Sequence, residues 1–237
     1  FECVPNFSEG RRPDVVARLR EAATSAERVR CLHETLDETH NRCVLTLVGP
    51  GPALVEAMSA AMRIAVAAID MKQHVGVHPR IGALDVCPFV PLDLEGARGA
   101  TMAGAVQLAR DFASELWTHH SVPSVFYEFA AESEDERPLA VHRKGGFEAK
   151  CEAGVCHPTA GVTAIAAREL LVAFNVQLDN DDVRIAKLIA RKIRERDGGM
   201  PGVRALGLGL AHRGCAQVSM NLVDYRRSGV REVYECI

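Results

Sequence analysis

The sequence lacks the features that mark several large classes of protein. It has 28 lysines and arginines against 31 acidic residues, a formal net charge of -3, and no basic stripe or polybasic patch. The usual electrostatic signature of a nucleic-acid partner or a membrane surface is therefore missing. No signal peptide, membrane-spanning run or residue-level repeat is recognisable. We expect neither a nucleic-acid partner nor a membrane association.

The cysteines are numerous but do not form a metal-binding pattern. Eight are present, without a Cys-x-x-Cys pair. Cys31, Cys43 and Cys87 lie in apolar, strand-like runs, where a free cysteine behaves as a small hydrophobic residue. Cys151 and Cys156 are too isolated to indicate a zinc site. We expect no metal and a reducing compartment, the cytoplasm.

Length and periodicity favour an α+β architecture. The 237 residues, 48% hydrophobic and 25% charged, suit one large or two small globular domains. Alternating and β-branched runs predict strands near 1–6, 29–36, 43–48, 83–92 and 122–129. Helical spacing predicts helices at 13–23, 53–69 and 101–119. This order fits helices on one face of a mixed or antiparallel sheet.

The same order of elements begins again after residues 130–160, which have no clear period. A strand is predicted at 170–178, followed by a helix capped by Asn180 or Asp181. Two more strands are predicted at 203–210 and 216–225. This resembles the first half of a second unit of similar type. Because the sequence starts inside a strand-like run and stops inside a starting helix, we expect the natural protein to extend beyond both ends.

The stretch His74–Leu92 changes from a polar loop into an apolar run. Pro79 keeps His78 out of the helical region, just ahead of a predicted buried strand. With Arg80 and Asp85 nearby, such a loop could move a proton and hold an anion. The alternative is an ordinary turn whose arginine pairs with a neighbouring acid.

Three segments carry a pattern that identifies a family: VPNFSEG at 4–10, HNR at 40–42 and GVHPRIGALDVCPF at 76–89. They closely resemble the formiminotransferase domain of formiminotransferase-cyclodeaminase and the stand-alone glutamate formimidoyltransferases. Further matches at 171–176 and 216–222 extend the resemblance over nearly the whole chain.

The resemblance implies two ferredoxin-like α/β subdomains in tandem, at 1–168 and 169–237, the second truncated. It implies transfer of the formimino group from N-formimino-L-glutamate to N5 of tetrahydrofolate, the co-substrate, in histidine degradation. It also suggests a homodimer. Two alternatives stay open: a non-catalytic relative that binds folate or a partner, and a relative that transfers a formyl group.

The resemblance also assigns roles to residues. The catalytic histidine of the family falls on His78, which could serve as base and then as acid. The folate-binding segment falls roughly on Gly154–Gly161, which includes His157. Because both substrates carry carboxylates, Arg42 and Arg80 are expected to contact them.

The remaining candidates lie in the predicted hairpin turn. Asp37, His40 and Asn41 are expected to contact substrate or folate, although each could serve only the turn. Either Asp37 or Asp85 could orient the imidazole of His78.

Overall fold

The computed structural model describes residues 1–77, 79–92, 99–210 and 213–237. The chain divides into two compact units, Phe1–Arg168 and Glu169–Ile237. Both units combine strands with helices, which confirms the predicted mixed α+β class. His78, the predicted catalytic residue, lies outside the described residues.

The elements of the first unit follow the predicted order, with additions. Its strands are β1 (Glu2–Cys3), β2 (Asn6–Phe7), β3 (Arg30–Asp37), β4 (Arg42–Val48), β5 (Leu84–Val90), β6 (Ser124–Glu128) and β7 (Thr163–Ala167). Its helices are α1 (Pro13–Ala23), α2 (Gly51–Ala68), α3 (Met102–His120), α4 (Leu139–His142) and α5 (Gly146–Glu152).

These strands form one mixed sheet. β1 and β2 each pair antiparallel with both β4 and β5, while β3 pairs with the other side of β4. The predicted strand at 1–6 is thus two short pieces, separated at Pro5, which has no amide to donate to a ladder. β7 lies between β5 and β6 and runs parallel to both.

Strand β7 was not predicted from the sequence. All five of its residues are buried, so it lacks the alternation by which a half-exposed strand is recognised. Ile165 and Ala167 face the main core, whereas Ala164 and Ala166 belong to a smaller cluster on the opposite face. The strand therefore has a core on each side of the sheet.

Helices α1, α2 and α3 supply much of the main core of this unit. Leu19, Met58 and Phe112 of these helices are fully buried with Phe89 of β5. By length and composition, α2 is apolar enough to cross a membrane. Its buried Leu54, Met58 and Met62 face the main core, so packing explains the apolar composition.

The aperiodic stretch 130–160 has more structure than its sequence predicted. It contains α4 and α5, and Phe147 of α5 is buried in the main core. Cys151 at the end of α5 forms a disulfide with Cys156. The two helices have four and seven residues, too few to show a helical period.

The second unit consists of β8 (Val172–Gln177), α6 (Val183–Ile193), β9 (Val203–Leu210), β10 (Cys215–Leu222) and α7 (Val230–Glu235). Its strands form an antiparallel sheet in the order β8-β10-β9. Asp182, rather than Asn180 or Asp181, caps α6 by accepting a hydrogen bond from the Arg184 amide at 2.9 Å.

Candidate functional site

A small cavity in the first unit collects several of the predicted residues. Its lining is Ser8, His40, Asn41, Arg42, His74, Arg80 and Asp85. Four segments contribute: the end of β2, the β3–β4 turn, the loop after α2 and the start of β5. The structure thus brings His40, Asn41, Arg42 and Arg80 together, although 38 residues separate Arg42 from Arg80 along the chain.

The backbones of these segments approach so closely that side chains are excluded between them. A Cβ atom at Gly76 would overlap the carbonyl oxygen of His40. Gly82 would similarly overlap the carbonyl oxygen of Val162. Glycine at these two positions allows the backbones to approach closely, because a residue with a Cβ would overlap its neighbour.

Asn41 holds the β3–β4 turn to its neighbours. Its φ is +49°, a left-handed conformation that asparagine tolerates better than most residues. Its Oδ1 accepts a hydrogen bond from the Gly10 amide at 3.0 Å, and its Nδ2 donates to the Val75 carbonyl at 3.1 Å. The side chain of Asn41 therefore ties three segments of the site together.

Asp37 and His40 form a second contact inside the same turn. Oδ1 of Asp37 accepts a hydrogen bond from the His40 amide at 2.8 Å, and Oδ2 lies 2.9 Å from Nδ1 of His40. Burial alone would raise the pKa of Asp37, but the hydrogen bonds from His40 outweigh it and lower that pKa. Asp37 thus orients His40, although it does not itself line the cavity as the described residues define it.

Arg80 is bound to His74 at two points. Its Nε donates to Nδ1 of His74 at 2.7 Å, and its Nη2 donates to the carbonyl oxygen of His74 at 2.7 Å. The other ring nitrogen of His74 is 2.9 Å from the carbonyl oxygen of Asn41. His74 therefore links the guanidinium of Arg80 to the β3–β4 turn.

Asp85 is buried beneath the cavity, with 1% of its surface exposed. Its Oδ1 accepts a hydrogen bond from the Ile81 amide at 2.8 Å, and its Oδ2 pairs with Nη2 of Arg143. Burial lowers the pKa of Arg42, while the negative charge of Asp85 raises it in part. Asp85 thus balances buried guanidinium charge and anchors the end of the loop that contains His78.

The predicted folate segment forms a compact turn beside this loop. Nδ1 of His157 accepts a hydrogen bond from the Ala160 amide at 2.9 Å, and His157 and Gly161 exchange backbone hydrogen bonds at 2.9 and 3.0 Å. Burial lowers the pKa of His157. Gly154 is exposed in the short loop that the Cys151–Cys156 disulfide closes. None of Gly154, His157 and Gly161 belongs to the cavity lining that the described residues provide.

Sequence reasoning missed three contributions to this site. Ser8 was not among the site candidates, but it lines the cavity and its Oγ donates to the Gly82 carbonyl at 2.7 Å. His74 was not assigned a role, although it lies within the same motif as Arg80. Arg143 lies in the aperiodic stretch, and no local pattern marked it as a partner of Asp85.

Comparison with known proteins shows the family of the chain. Residues 1–168 match the family described as formiminotransferase domain, N-terminal subdomain, and residues 173–237 match formiminotransferase domain. The chain belongs to the formiminotransferase family. The glutamate formimidoyltransferase of Streptococcus pyogenes is 40% identical over the whole of this chain and 81% of that protein. The glutamate formimidoyltransferase of Thermoplasma acidophilum is 38% identical, with 80% of its length covered.

A longer formiminotransferase relative is also similar. The formimidoyltransferase-cyclodeaminase of Rattus norvegicus is 35% identical over 99% of this chain, which corresponds to 46% of the rat protein. The family resemblance that the three sequence segments indicated is therefore confirmed.

Proposed function

We propose that this chain is a glutamate formimidoyltransferase, which transfers the formimino group from N-formimino-L-glutamate to N5 of tetrahydrofolate. The observation that carries the proposal is the cavity that Arg42, Arg80 and His40 line in a chain of this family. Two relatives named glutamate formimidoyltransferase, at 38% and 40% identity over the full chain, support the same reaction.

The charge of the cavity suits an anionic substrate. Arg42 and Arg80 both contribute to its lining, and Asp85 is the one carboxylate among the described lining residues. Asp85 also pairs with Arg143, so the negative charge is shared between guanidinium groups. N-formimino-L-glutamate carries two carboxylates, which guanidinium groups bind with paired hydrogen bonds. Arg42 and Arg80 are therefore our candidates for substrate contact.

The reaction requires one group that accepts and then returns a proton. The N5 amine of tetrahydrofolate attacks the formimino carbon, and a bond forms between them as the N5 proton leaves. The tetrahedral intermediate then breaks its bond to the glutamate nitrogen, which must be protonated to depart. We assign both transfers to His78, because an imidazole with a pKa near neutrality can act as base and then as acid.

The turn residues serve this site in two ways in our proposal. Asp37 orients His40 towards the substrate, and Asn41 sets the backbone that carries Arg42. The segment Gly154–Gly161 binds folate, with His157 shaping the turn and Gly161 permitting its approach to the His78 loop.

We further propose that residues 1–168 and 169–237 are two ferredoxin-like formiminotransferase subdomains, of which the second is partial. The β-α-β-β order of the second unit and its β8-β10-β9 sheet support this assignment. A homodimer and a cytoplasmic location complete the proposal. Six free cysteines support a reducing compartment. The Cys151–Cys156 disulfide is the observation against it.

The test is formation of glutamate and 5-formiminotetrahydrofolate from the two substrates, measured for the wild type, His78→Ala and His119→Ala. His119 is a matched control, since it is a solvent-exposed histidine on α3, paired only with Glu115 among the described residues. We expect His78→Ala to lower kcat roughly 10²- to 10⁴-fold, the usual contribution of general acid–base catalysis. His119→Ala should stay within a few-fold of wild type.

Three results would contradict the proposal. Activity of His78→Ala close to that of the wild type, with unchanged circular dichroism, would refute the role of His78. Wild-type turnover with a formyl donor but not with N-formimino-L-glutamate would indicate the formyl-transferring alternative. Folate binding without any turnover would indicate the non-catalytic alternative.

A further inference from the structure

We propose that His74 is a positioning residue that fixes the guanidinium of Arg80 for a carboxylate of the substrate. This inference rests on the proposed function. It adds to the site a residue that acts through Arg80 and does not itself contact the substrate. The two hydrogen bonds from Arg80 to His74 carry the argument, since they involve both the ring and the backbone of the same residue.

The geometry leaves a defined edge of Arg80 available. A guanidinium has five N–H donors in a planar fork. His74 takes the Nε–H and one Nη2–H, which leaves the end-on edge formed by Nη1 and the second Nη2 hydrogen. Among the described residues, the carboxylate paired with Arg80 is that of Glu148, 3.9 Å from Nη2 and 64% exposed. At that distance Glu148 makes no hydrogen bond, so the end-on edge suits a bidentate carboxylate.

The hydrogen bonds also assign the tautomer of His74. Arg80 can only donate, so Nδ1 of His74 must be the acceptor and the ring proton must be on Nε2. Nε2 then donates to the carbonyl oxygen of Asn41 at 2.9 Å. Both ring nitrogens are therefore engaged by the protein. His74 acts through Arg80, because no ring nitrogen remains for a proton transfer with the substrate.

The surroundings favour this neutral form. Burial lowers the pKa of His74, the Asn41 carbonyl raises it, and the charge of Arg80 lowers it further, with a net decrease. A charged imidazole would lose its acceptor at Nδ1 and would repel Arg80.

Two substitutions of His74 separate the two hydrogen bonds of its ring, the one from Arg80 and the one to Asn41. In His74→Asn, the amide oxygen stands as many bonds from Cα as Nδ1, so it can accept from Arg80. In His74→Gln, the amide nitrogen stands as many bonds from Cα as Nε2, so it can donate to Asn41 but offers Arg80 no acceptor at the Nδ1 position. The first keeps the positioning of Arg80, and the second keeps the link to the β3–β4 turn.

We expect His74→Gln to raise the KM for N-formimino-L-glutamate about tenfold or more, with kcat within about threefold of wild type, because a charge-assisted hydrogen bond is lost. His74→Asn should keep both constants within about threefold. Arg80→Gln should raise KM at least as much. The double variant Arg80→Gln/His74→Gln should show little further increase in KM, since the two residues act as one unit.

Equal increases in KM for the Asn and Gln variants would show a structural role alone and overturn the proposal, as would no increase in either. If His74→Gln does not fold, Arg80→Lys replaces it, because lysine keeps the charge but has no Nε–H placed for the ring. If the wild type does not turn over, the proposed function fails. Binding of L-glutamate to the same variants, measured by calorimetry, then tests the positioning role independently.

Discussion

The residues just before β5, 79–83, lie beside the turn at 157–162. In the sequence, a His-Pro pair followed by a glycine occurs in both places, at 78–82 and at 157–161. Backbone hydrogen bonds from Ala83 to Ala160 and from Val162 to Ile81, at 2.8 and 2.9 Å, join them. In the turn, the ring of His157 accepts a hydrogen bond from the backbone amide of Ala160. In the loop, the ring of His74 accepts one from the side chain of Arg80.

This difference separates two uses of one residue type. His157 stabilises a local turn, in the manner of an asparagine side chain that caps its own backbone. His74 connects the side chain of Arg80 to the backbone carbonyl of Asn41 and so affects the shape of a charged cavity. Histidines in two adjacent segments therefore stabilise a local turn in one place and the wall of the candidate site in the other.

The largest effect is expected from a substitution of Gly161, the glycine at which the two segments meet. Gly161 has a φ of +71°, and a Cβ there would overlap the carbonyl oxygen of Ile81. We expect Gly161→Ala to lower the free energy of unfolding by about 3 kcal/mol or more, from left-handed strain and steric overlap together. Urea denaturation followed by circular dichroism measures this change.

Gly154→Ala is a matched control for that substitution. Gly154 has the same φ of +71°, but among the described residues no atom lies within 4 Å of a Cβ placed there. It should lose only about 1 to 2 kcal/mol, from backbone strain alone. Equal losses for the two variants would show that close packing between the two segments contributes nothing.

A smaller effect is expected from acid. The pKa of His74 is lowered in the folded chain, mainly by burial, with Arg80 and Arg11 lowering it and Glu9 raising it. In the unfolded chain it returns to about 6.5, so the unfolded state binds more protons below that pH. The contribution of His74 to stability is therefore complete above about pH 6.5 and is lost as the pH falls through the folded pKa.

The variant His74→Asn isolates this contribution, because asparagine accepts from Arg80 but does not titrate. Urea denaturation midpoints should fall less for the variant than for the wild type between pH 7 and pH 5. Equal decreases in both proteins would show that acid sensitivity arises elsewhere, for example at His157, whose pKa burial also lowers.

The sequence predicted helices and strands well where their hydrophobic residues followed a clear period. The alternation in β3 and β4 and the helical spacing in α2 gave elements that the structure contains. It failed at β7, which is buried on both faces, and at the short helices α4 and α5. Periodicity reports one exposed face, so fully buried or very short elements escape it.

The candidate site was predictable in part for a related reason. Arg80 and His40 stood in recognisable motifs, so their types and positions were available from the chain. Other contacts of the site were not available, because the one between Asp85 and Arg143 spans 58 residues and depends on the tertiary fold. Side-chain partnership of this kind is a long-range property that local patterns do not encode.

A structure of the His78→Ala variant bound to N-formimino-L-glutamate tests the central claim most directly, because the substrate cannot be consumed at an appreciable rate. We predict a substrate carboxylate within hydrogen-bond distance of the end-on edge of Arg80, with the Arg80–His74 hydrogen bonds retained. Substrate bound away from the cavity of Ser8, Arg42 and Arg80, or bound there after Arg80 has left His74, would contradict the account.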